Sequence, residues 1–254
     1  MSIRTSSMTS DGATGRLLPM LCTDGHKQMA IDTLLLERSN TTPVLRFYRW
    51  DGPWLSLGRH QKHWPCHWND LANAGRLSLV RRPSGGRAVL HAGGLTYALI
   101  WPQAPRHRHE AYREACQWLI DGFQQLGVRL HFGDQAALDE GINCFARSTA
   151  ADLVDDGGVK RIGSAQRWLH GRLLQHGEIL LDPPATLWQA VFGEEAPAAA
   201  PASIPRDGLD QFLRGVLQRN WSTLAWHEQG LDEHERQALL RARSDSDACM
   251  VSTT

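Results

Sequence analysis

Arg81-Arg82-Pro83-Ser84-Gly85-Gly86-Arg87-Ala88-Val89-Leu90-His91 sets a flexible, donor-rich turn between two apolar runs, Leu77 to Val80 before it and Leu95 to Trp101 after it. Glycine admits backbone angles and a close ligand approach that a Cβ forbids, and the planar fork of arginine suits a carboxylate or phosphate. The same residues also suit an ordinary hairpin loop with solvated arginines. Outward from this turn the chain alternates short apolar segments with few helices. Met29, Ile31, Leu34, Leu35 and Leu36 fall largely on one helical face, and Val44 to Trp50 with Trp54 to Gly58 read as a hairpin-like pair of strands. Leu77 to Arg82 and Ala88 to Trp101 supply strands on either side of the turn. Glu110 to Leu126 reads as a long amphipathic helix with Gly127 as its C-cap. Val128 to Phe132, Ala151 to Val154, Val159 to Gln166 and Arg172 to Leu181 read as further strands, with Asp155-Asp156-Gly157-Gly158 as a tight turn. Runs of strands with few helices between them argue for an α+β fold rather than a βαβ repeat.

The ends of the chain read differently. Residues 1–20 are expected to be a flexible tail, and 21–193 the main domain. Residues 194–206, rich in proline and alanine, look like an exposed linker. Residues 207–243 carry helical periodicity and are expected to form a small helical segment before a polar tail, 244–254.

A chain of 254 residues can bury a sizeable core without staples. Its 27 basic and 27 acidic residues cancel, so composition gives no general attraction to nucleic acid or to a membrane surface. Five cysteines, an odd number without a paired motif, favour reduced thiols and a cytoplasmic setting. No apolar run approaches the roughly 20 residues needed to span a bilayer, and the first residues lack the apolar core of a signal peptide.

Two further segments, Lys160-Arg161-Ile162-Gly163-Ser164-Ala165-Gln166 and Leu174-Gln175-His176-Gly177-Glu178-Ile179-Leu180, follow the glycine turn in order. Together the three resemble the lipoate-protein ligase and octanoyltransferase family. The match begins near Pro43 to Trp50 and Leu55 to Gly58 and persists to about Asp182. This resemblance implies a mixed, largely antiparallel sheet flanked by helices, similar to the biotin and lipoate ligase catalytic domain. Lys160 occupies the lysine position of the family's Lys-x-x-Gly-x-Ala motif, where an ammonium could stabilise charge developing on an acyl oxygen. Cys144, in Ile142-Asn143-Cys144-Phe145, matches the Cys-Phe position of the branch that uses a cysteine nucleophile. By the same resemblance Ser84, Gly85, Gly86 and His91 line an acyl site, with Arg82 near an anionic group. Gly163, Ser164 and Ala165 are expected in the same site, with His176 and Gly177 closing it. For His91 and His176 a hydrogen-bonded structural role stands beside a catalytic one. Where the family often has aspartate after the motif histidine, this chain has Ala92-Gly93-Gly94. Arg87 replaces the third glycine of the ligases, and this resembles the transferase branch, as does Leu95-Thr96-Tyr97.

His60-Gln61-Lys62-His63-Trp64-Pro65-Cys66-His67 concentrates possible metal ligands, but it has no second cluster at zinc-like spacing, and Pro65 fits a helix start. No metal site is therefore expected. The function implied by the resemblance is octanoyl transfer from octanoyl-acyl carrier protein, through a Cys144 thioester, to a lysine of a lipoyl-domain protein. The glycine-cleavage H protein and the E2 subunit of a 2-oxoacid dehydrogenase are examples of such acceptors, and this chemistry needs no cofactor. An ATP- and magnesium-dependent lipoate-protein ligase would use the same loop and lysine. A non-catalytic acyl-binding or carrier-docking protein is the third reading.

Overall fold

The computed structural model describes residues 13–133 and 152–241. In chain order the elements are β1 (Thr14–Leu17), β2 (Leu21–Thr23), α1 (Gly25–Arg38), β3 (Val44–Trp50), β4 (Trp54–Leu57), α2 (Cys66–Asn73), β5 (Ser78–Arg81), β6 (Val89–His91) and β7 (Gly94–Trp101). Then follow α3 (Arg108–Gln125), β8 (Leu130–Phe132), β9 (Leu153–Asp155), β10 (Lys160–Leu169), β11 (Arg172–Leu180), α4 (Ala185–Phe192), α5 (Leu209–Asn220) and β12 (Ala225–Glu228), with residues 233–241 helical.

Nine strands form one mixed sheet in the order β12-β1-β3-β7-β11-β10-β9-β8, with β2 beside β3. Every neighbour pair from β3 to β8 is antiparallel, whereas β1 runs parallel to both β12 and β3. One face packs on α3 and α5 through Phe47, Tyr97, Trp118, Phe123, Leu213 and Leu217. The other face covers α1 through Ile31, Leu35, Tyr48, Ala98 and Leu174. A three-stranded sheet, β5-β4-β6, forms a smaller core with α2 and α4 around Trp68 and Trp188. The expected α+β class is what the chain adopts.

Three local expectations change. Val44–Trp50 and Trp54–Leu57 are not a hairpin, because β3 lies in the large sheet and β4 in the small one. Likewise the glycine turn is no two-strand hairpin, since β4 lies between β5 and β6 and the turn passes over its end. The tail ends earlier than residue 20. β1 is held in the sheet by buried Leu17 and by Arg16, which donates to both Glu235 oxygens at 2.8 and 2.7 Å.

Residues 194–206 are mostly exposed, but they do not separate a second unit. Ala200 and Ile204 sit in the main core, the Ala200 amide donates to Leu181 O, and the Arg161 guanidinium donates to Ala198 O. α5 packs on α3 in that same core, and β12 adds a strand no periodicity signalled. The expected turn at Asp155 holds: Gly158, at φ +79, donates to Asp155 O. Gly127 also holds as the left-handed residue ending α3, at φ +80.

Candidate active site

Strand alternation sorts the motif residues before any chemistry is considered. In the β10–β11 pair, Gly163 faces Glu178, Ser164 faces Gly177, and Ala165 faces His176. Opposed residues share a face, so Gly163, Ala165, His176 and Glu178 point one way and Ser164 and Gly177 the other. The Ser164 hydroxyl shares a 2.8 Å hydrogen bond with Tyr97 OH, and its carbonyl accepts from Tyr112 OH at 2.8 Å, which places this serine against the α3 core. A Cβ at Gly177 would stand 2.7 Å from Gly163 O and 2.9 Å from the Tyr97 ring. Of the five residues expected in the site or closing it, Gly163, Ala165 and His176 lie on the loop's side of the sheet, while Ser164 and Gly177 face the other.

On that side two serine–histidine–carboxylate chains run nearly side by side. His176 Nδ1 lies 2.8 Å from Asp32 Oδ2, and its Nε2 lies 2.5 Å from Ser84 Oγ in the glycine loop. Asp32 also accepts from Arg46 at 3.0 Å and Tyr48 OH at 3.1 Å, and Arg46 reaches Gln28 Oε1 as well. All of these groups are buried. A carboxylate can only accept, so His176 Nδ1 is the donor toward Asp32. Withdrawing one member of such a buried ion pair typically costs about 3–5 kcal/mol, so Arg46 fixes Asp32 and, through it, the His176 ring.

The second chain joins His91 to Glu178 and Ser56. His91 Nδ1 lies 2.8 Å from Glu178 Oε2, Ser56 Oγ lies 2.8 Å from His91 Nε2, and Thr96 donates to the same Glu178 oxygen at 2.5 Å. Trp50 stacks on the imidazole with ring centres 4.1 Å apart and donates to Thr96 Oγ1 at 2.8 Å. Burial holds His91 below its ordinary pKa against the opposing pull of Glu178, with Arg82 and His176 adding to the lowering. The His91–Glu178 contact is thus a hydrogen bond from a neutral ring. Ala92, not a carboxylate, follows His91, and the carboxylate beside its ring comes from Glu178, two positions beyond His176 in β11.

This shift sets a pH dependence. His91 stays neutral in the fold below 6.5, where the unfolded chain takes up a proton. The unfolded state then binds more protons, so the His91 contribution is complete above the ordinary pKa and is lost as pH falls through the window below it. Acidification from about pH 7.5 to about pH 5.5 should lower the melting temperature, and His91→Gln should flatten that loss in a thermal melt. An unchanged slope would assign the acid sensitivity elsewhere.

Arg82 was expected near an anion. Its guanidinium is buried and donates to Ser56 O at 2.9 Å, Ser56 Oγ at 3.2 Å, Gly85 O at 2.7 Å and Arg87 O at 2.6 Å. It is the frame of the glycine loop. Gly86 sits at φ +93, and a Cβ on Gly58 would meet Gly86 O at 1.9 Å, so Gly58 lets β4 run directly under the loop. Arg81 closes the other edge by donating to Gly58 O at 2.9 Å and Gln61 O at 2.8 Å.

Lys160 begins β10 and is buried, with its ammonium 2.9 Å from the buried Asp152 carboxylate. The register shifts between Lys160 and Ile162, and the next residue, Arg161, pairs with Asp155 at 2.6 Å. Two consecutive cations thereby each reach a carboxylate. Cys144 lies outside the described residues. Of the described cysteines, Cys116 is buried on the core face of α3, and burial pushes its thiol up to about 12, so it stays protonated. Cys22 and Cys66 are exposed. Among the described residues no group of three or more His, Cys, Asp or Glu is arranged to hold a metal ion, and no helix is long and apolar enough to cross a membrane. In the histidine-rich segment, His67 Nε2 bonds Val191 O at 2.9 Å instead.

Asp32, Glu178, Ser56, Arg46 and Asp152 were not singled out from sequence as site residues. A signal existed for the first and fourth. Gln28 and Asp32 interrupt the apolar face of α1 one turn apart, and Arg46 interrupts the apolar strand Val44–Trp50.

The octanoyltransferase LipM of Geobacillus kaustophilus is 36% identical over 179 residues, covering 65% of this chain and 64% of that protein. LipM of Kyrpidia tusciae is 35% identical over 168 residues, 61% of either. The matched region thus spans under two thirds of those relatives' length. Among solved structures, a lipoate-protein ligase A bound with ATP superposes with a TM-score of 0.72 at 22% identity, covering 91% of this chain and 94% of that one. A bipartite lipoate protein ligase of an archaeal lipoylation system, from Thermoplasma acidophilum, gives 0.65 at 21%, with 92% of each chain covered. At these identities the superpositions speak for the fold. Residues 24–233, including β10, the glycine loop and the α5 segment, match the model of the lipoyl protein ligase A/B catalytic domain, and the chain belongs to that family.

Proposed function

We propose that this chain is an octanoyltransferase of protein lipoylation. The observation that carries the reading is its 35–36% identity to octanoyltransferases over 168 to 179 residues. In the proposed cycle the Cys144 thiolate attacks the carbonyl of octanoyl-acyl carrier protein. A new carbon–sulfur bond forms, and the carrier leaves as its thiolate. An acceptor lysine amine, from a lipoyl-domain protein such as the H protein or an E2 subunit, then attacks the acyl-enzyme. The amide forms, the Cys144 sulfur leaves, and the amine proton is returned to it. Each step passes through a tetrahedral oxyanion, which a buried ammonium such as Lys160 is suited to stabilise. Asp152, 2.9 Å away, holds that ammonium in place inside the protein. Gly85, where a Cβ would meet nothing within 4 Å, leaves room for an acyl carbonyl beside Ser84. Thioester exchange draws on no ATP.

A second reading has its own support, since the fold is shared with a lipoate-protein ligase that binds ATP. Both readings use the loop and Lys160. Incubating the pure protein with an apo lipoyl domain separates them. Octanoyl-acyl carrier protein without ATP should add an octanoyl mass to the acceptor. Modification only by octanoate with ATP and magnesium would overturn the transferase in favour of the ligase, and modification by neither would overturn both in favour of a binding protein.

A further inference from the structure

Most arginines around the glycine loop are already committed to protein groups. Arg81 and Arg82 donate to loop carbonyls, and Arg46 is paired with Asp32. Arg59 and Arg167 differ. Arg167 Nε is buried without a hydrogen-bond partner, and among the described residues neither Arg59 nor Arg167 forms an ion pair. A buried donor left unmade costs free energy unless something absent from the protein completes it.

Both residues belong to the walls of the candidate site. Arg59 follows Gly58, and its amide donates to Ser84 O at 2.8 Å, so it is fastened to the glycine loop. Arg167 stands two residues beyond Ala165 on β10, opposite Leu174, and therefore on the same face as Ala165 and His176. His176 in turn bonds Ser84, so loop and strand face each other across Gly163 and Ala165, with one arginine on each side. Their charges feel one another: burial first, then Arg59, holds the Arg167 guanidinium below its ordinary pKa, with exposed Glu37 opposing both. Two cations near enough to influence one another, one with an unmade donor, describe an anion seat.

We infer that Arg59 and Arg167 together seat a phosphoryl group of the acyl donor, the phosphodiester at the base of a carrier protein's phosphopantetheine arm. The inference rests on the transferase reading and adds a recognition step to it. A carrier thioester brings one phosphodiester on the same flexible arm as its acyl group. Two arginine forks grip that monoanion in bidentate fashion while the acyl chain lies along the small residues between them. Nucleotide phosphates share this chemistry, and the two sources are separated by what the enzyme discriminates.

The test compares octanoyl thioesters of 4′-phosphopantetheine and of plain pantetheine, which differ only in the phosphate. Wild type should prefer the phosphorylated thioester in kcat/KM by roughly tenfold or more, the worth of one good charge-assisted contact. In R59Q, R167Q and the double variant, that preference should fall toward one, chiefly through KM. Titration calorimetry with unacylated 4′-phosphopantetheine against pantetheine should show the same loss of discrimination without turnover. Equal use of both thioesters by wild type, or a preference that survives in the double variant, overturns the seat. Transfer from neither thioester, together with transfer from octanoate and ATP whose KM for ATP rises in R59Q and R167Q, overturns the transferase reading and reassigns the anion to the nucleotide.

Discussion

Lys160→Ala should lower acyl transfer about 100- to 1000-fold, the usual loss when one oxyanion donor is removed. Its environment adds a second expectation. Lys160 and Asp152 are both nearly inaccessible, at 5% and 3% exposure, and lie 2.9 Å apart. Truncating the lysine strands a buried carboxylate, so the alanine variant should also lose stability, by up to about 3–5 kcal/mol. Rate and stability must therefore be read separately. Lys160→Met with Asp152→Asn removes both charges while keeping volume, and should melt closer to wild type than Lys160→Ala. It should nonetheless stay slow, because no cation faces the oxyanion. Lys160→Arg should also fail, since a planar fork cannot take the place of a compact ammonium in a site already shaped around Asp152. Turnover within a fewfold of wild type by folded Lys160→Ala, measured as acceptor mass against time, would reject the assigned role.

The contrast between what the sequence disclosed and what it concealed follows from the range of the forces involved. Periodicity is local, and so α1, α3 and the long strands β7, β10 and β11 were legible from their apolar spacing. The partition of β3 and β4 between two sheets was not, because both read as the same kind of apolar run and pairing is decided by residues far away in the chain. β1 and β12 escaped notice for a related reason. Each has four residues, and they are stabilised by each other and by the Arg16–Glu235 pair, 219 positions apart. The proline- and alanine-rich segment has the composition of a boundary because composition reports local flexibility, while Ala200 and Ile204 are held in one core with the distant Leu181.

In the site itself the motif residues were legible and their division of labour was not. Alternation along β10 and β11 separates Ser164 and Gly177 from Gly163, Ala165 and His176, a distinction available from the period of two once both segments are taken as paired strands. The carboxylates were harder to find. Asp32 reaches His176 across 144 positions and Glu178 reaches His91 across 87, so no local window contains either pair. The only local trace is a polar residue on an apolar face. In α1 such a residue is costly to bury unless partnered, and Asp32 meets that cost with three donors, from Arg46, Tyr48 and His176.

Cys144→Ala should abolish the covalent intermediate and octanoyl transfer together, with a rate loss exceeding about 1000-fold, as is usual when a nucleophile is removed. Intact-mass analysis after mixing wild type with octanoyl-acyl carrier protein, without acceptor, should show a single octanoyl adduct that hydroxylamine releases, as it does a thioester. Cys144→Ser should lose the adduct too, because a hydroxyl at its ordinary pKa is a far weaker nucleophile than a thiolate. The other thiols provide the internal control. Cys116, pushed up to about 12 by burial, has almost no thiolate at neutral pH and should remain unmodified. Exposed Cys22 and Cys66 should take no octanoyl group beyond slow chemical exchange, so Cys22→Ser and Cys66→Ser should keep the adduct. An adduct that survives in Cys144→Ala and vanishes in one of these two would move the nucleophile to the surface. Cys144→Ala that modifies the acceptor at the normal rate would remove the covalent step altogether, and if that transfer required ATP, the chemistry of loop and lysine would belong to an acyl-adenylate.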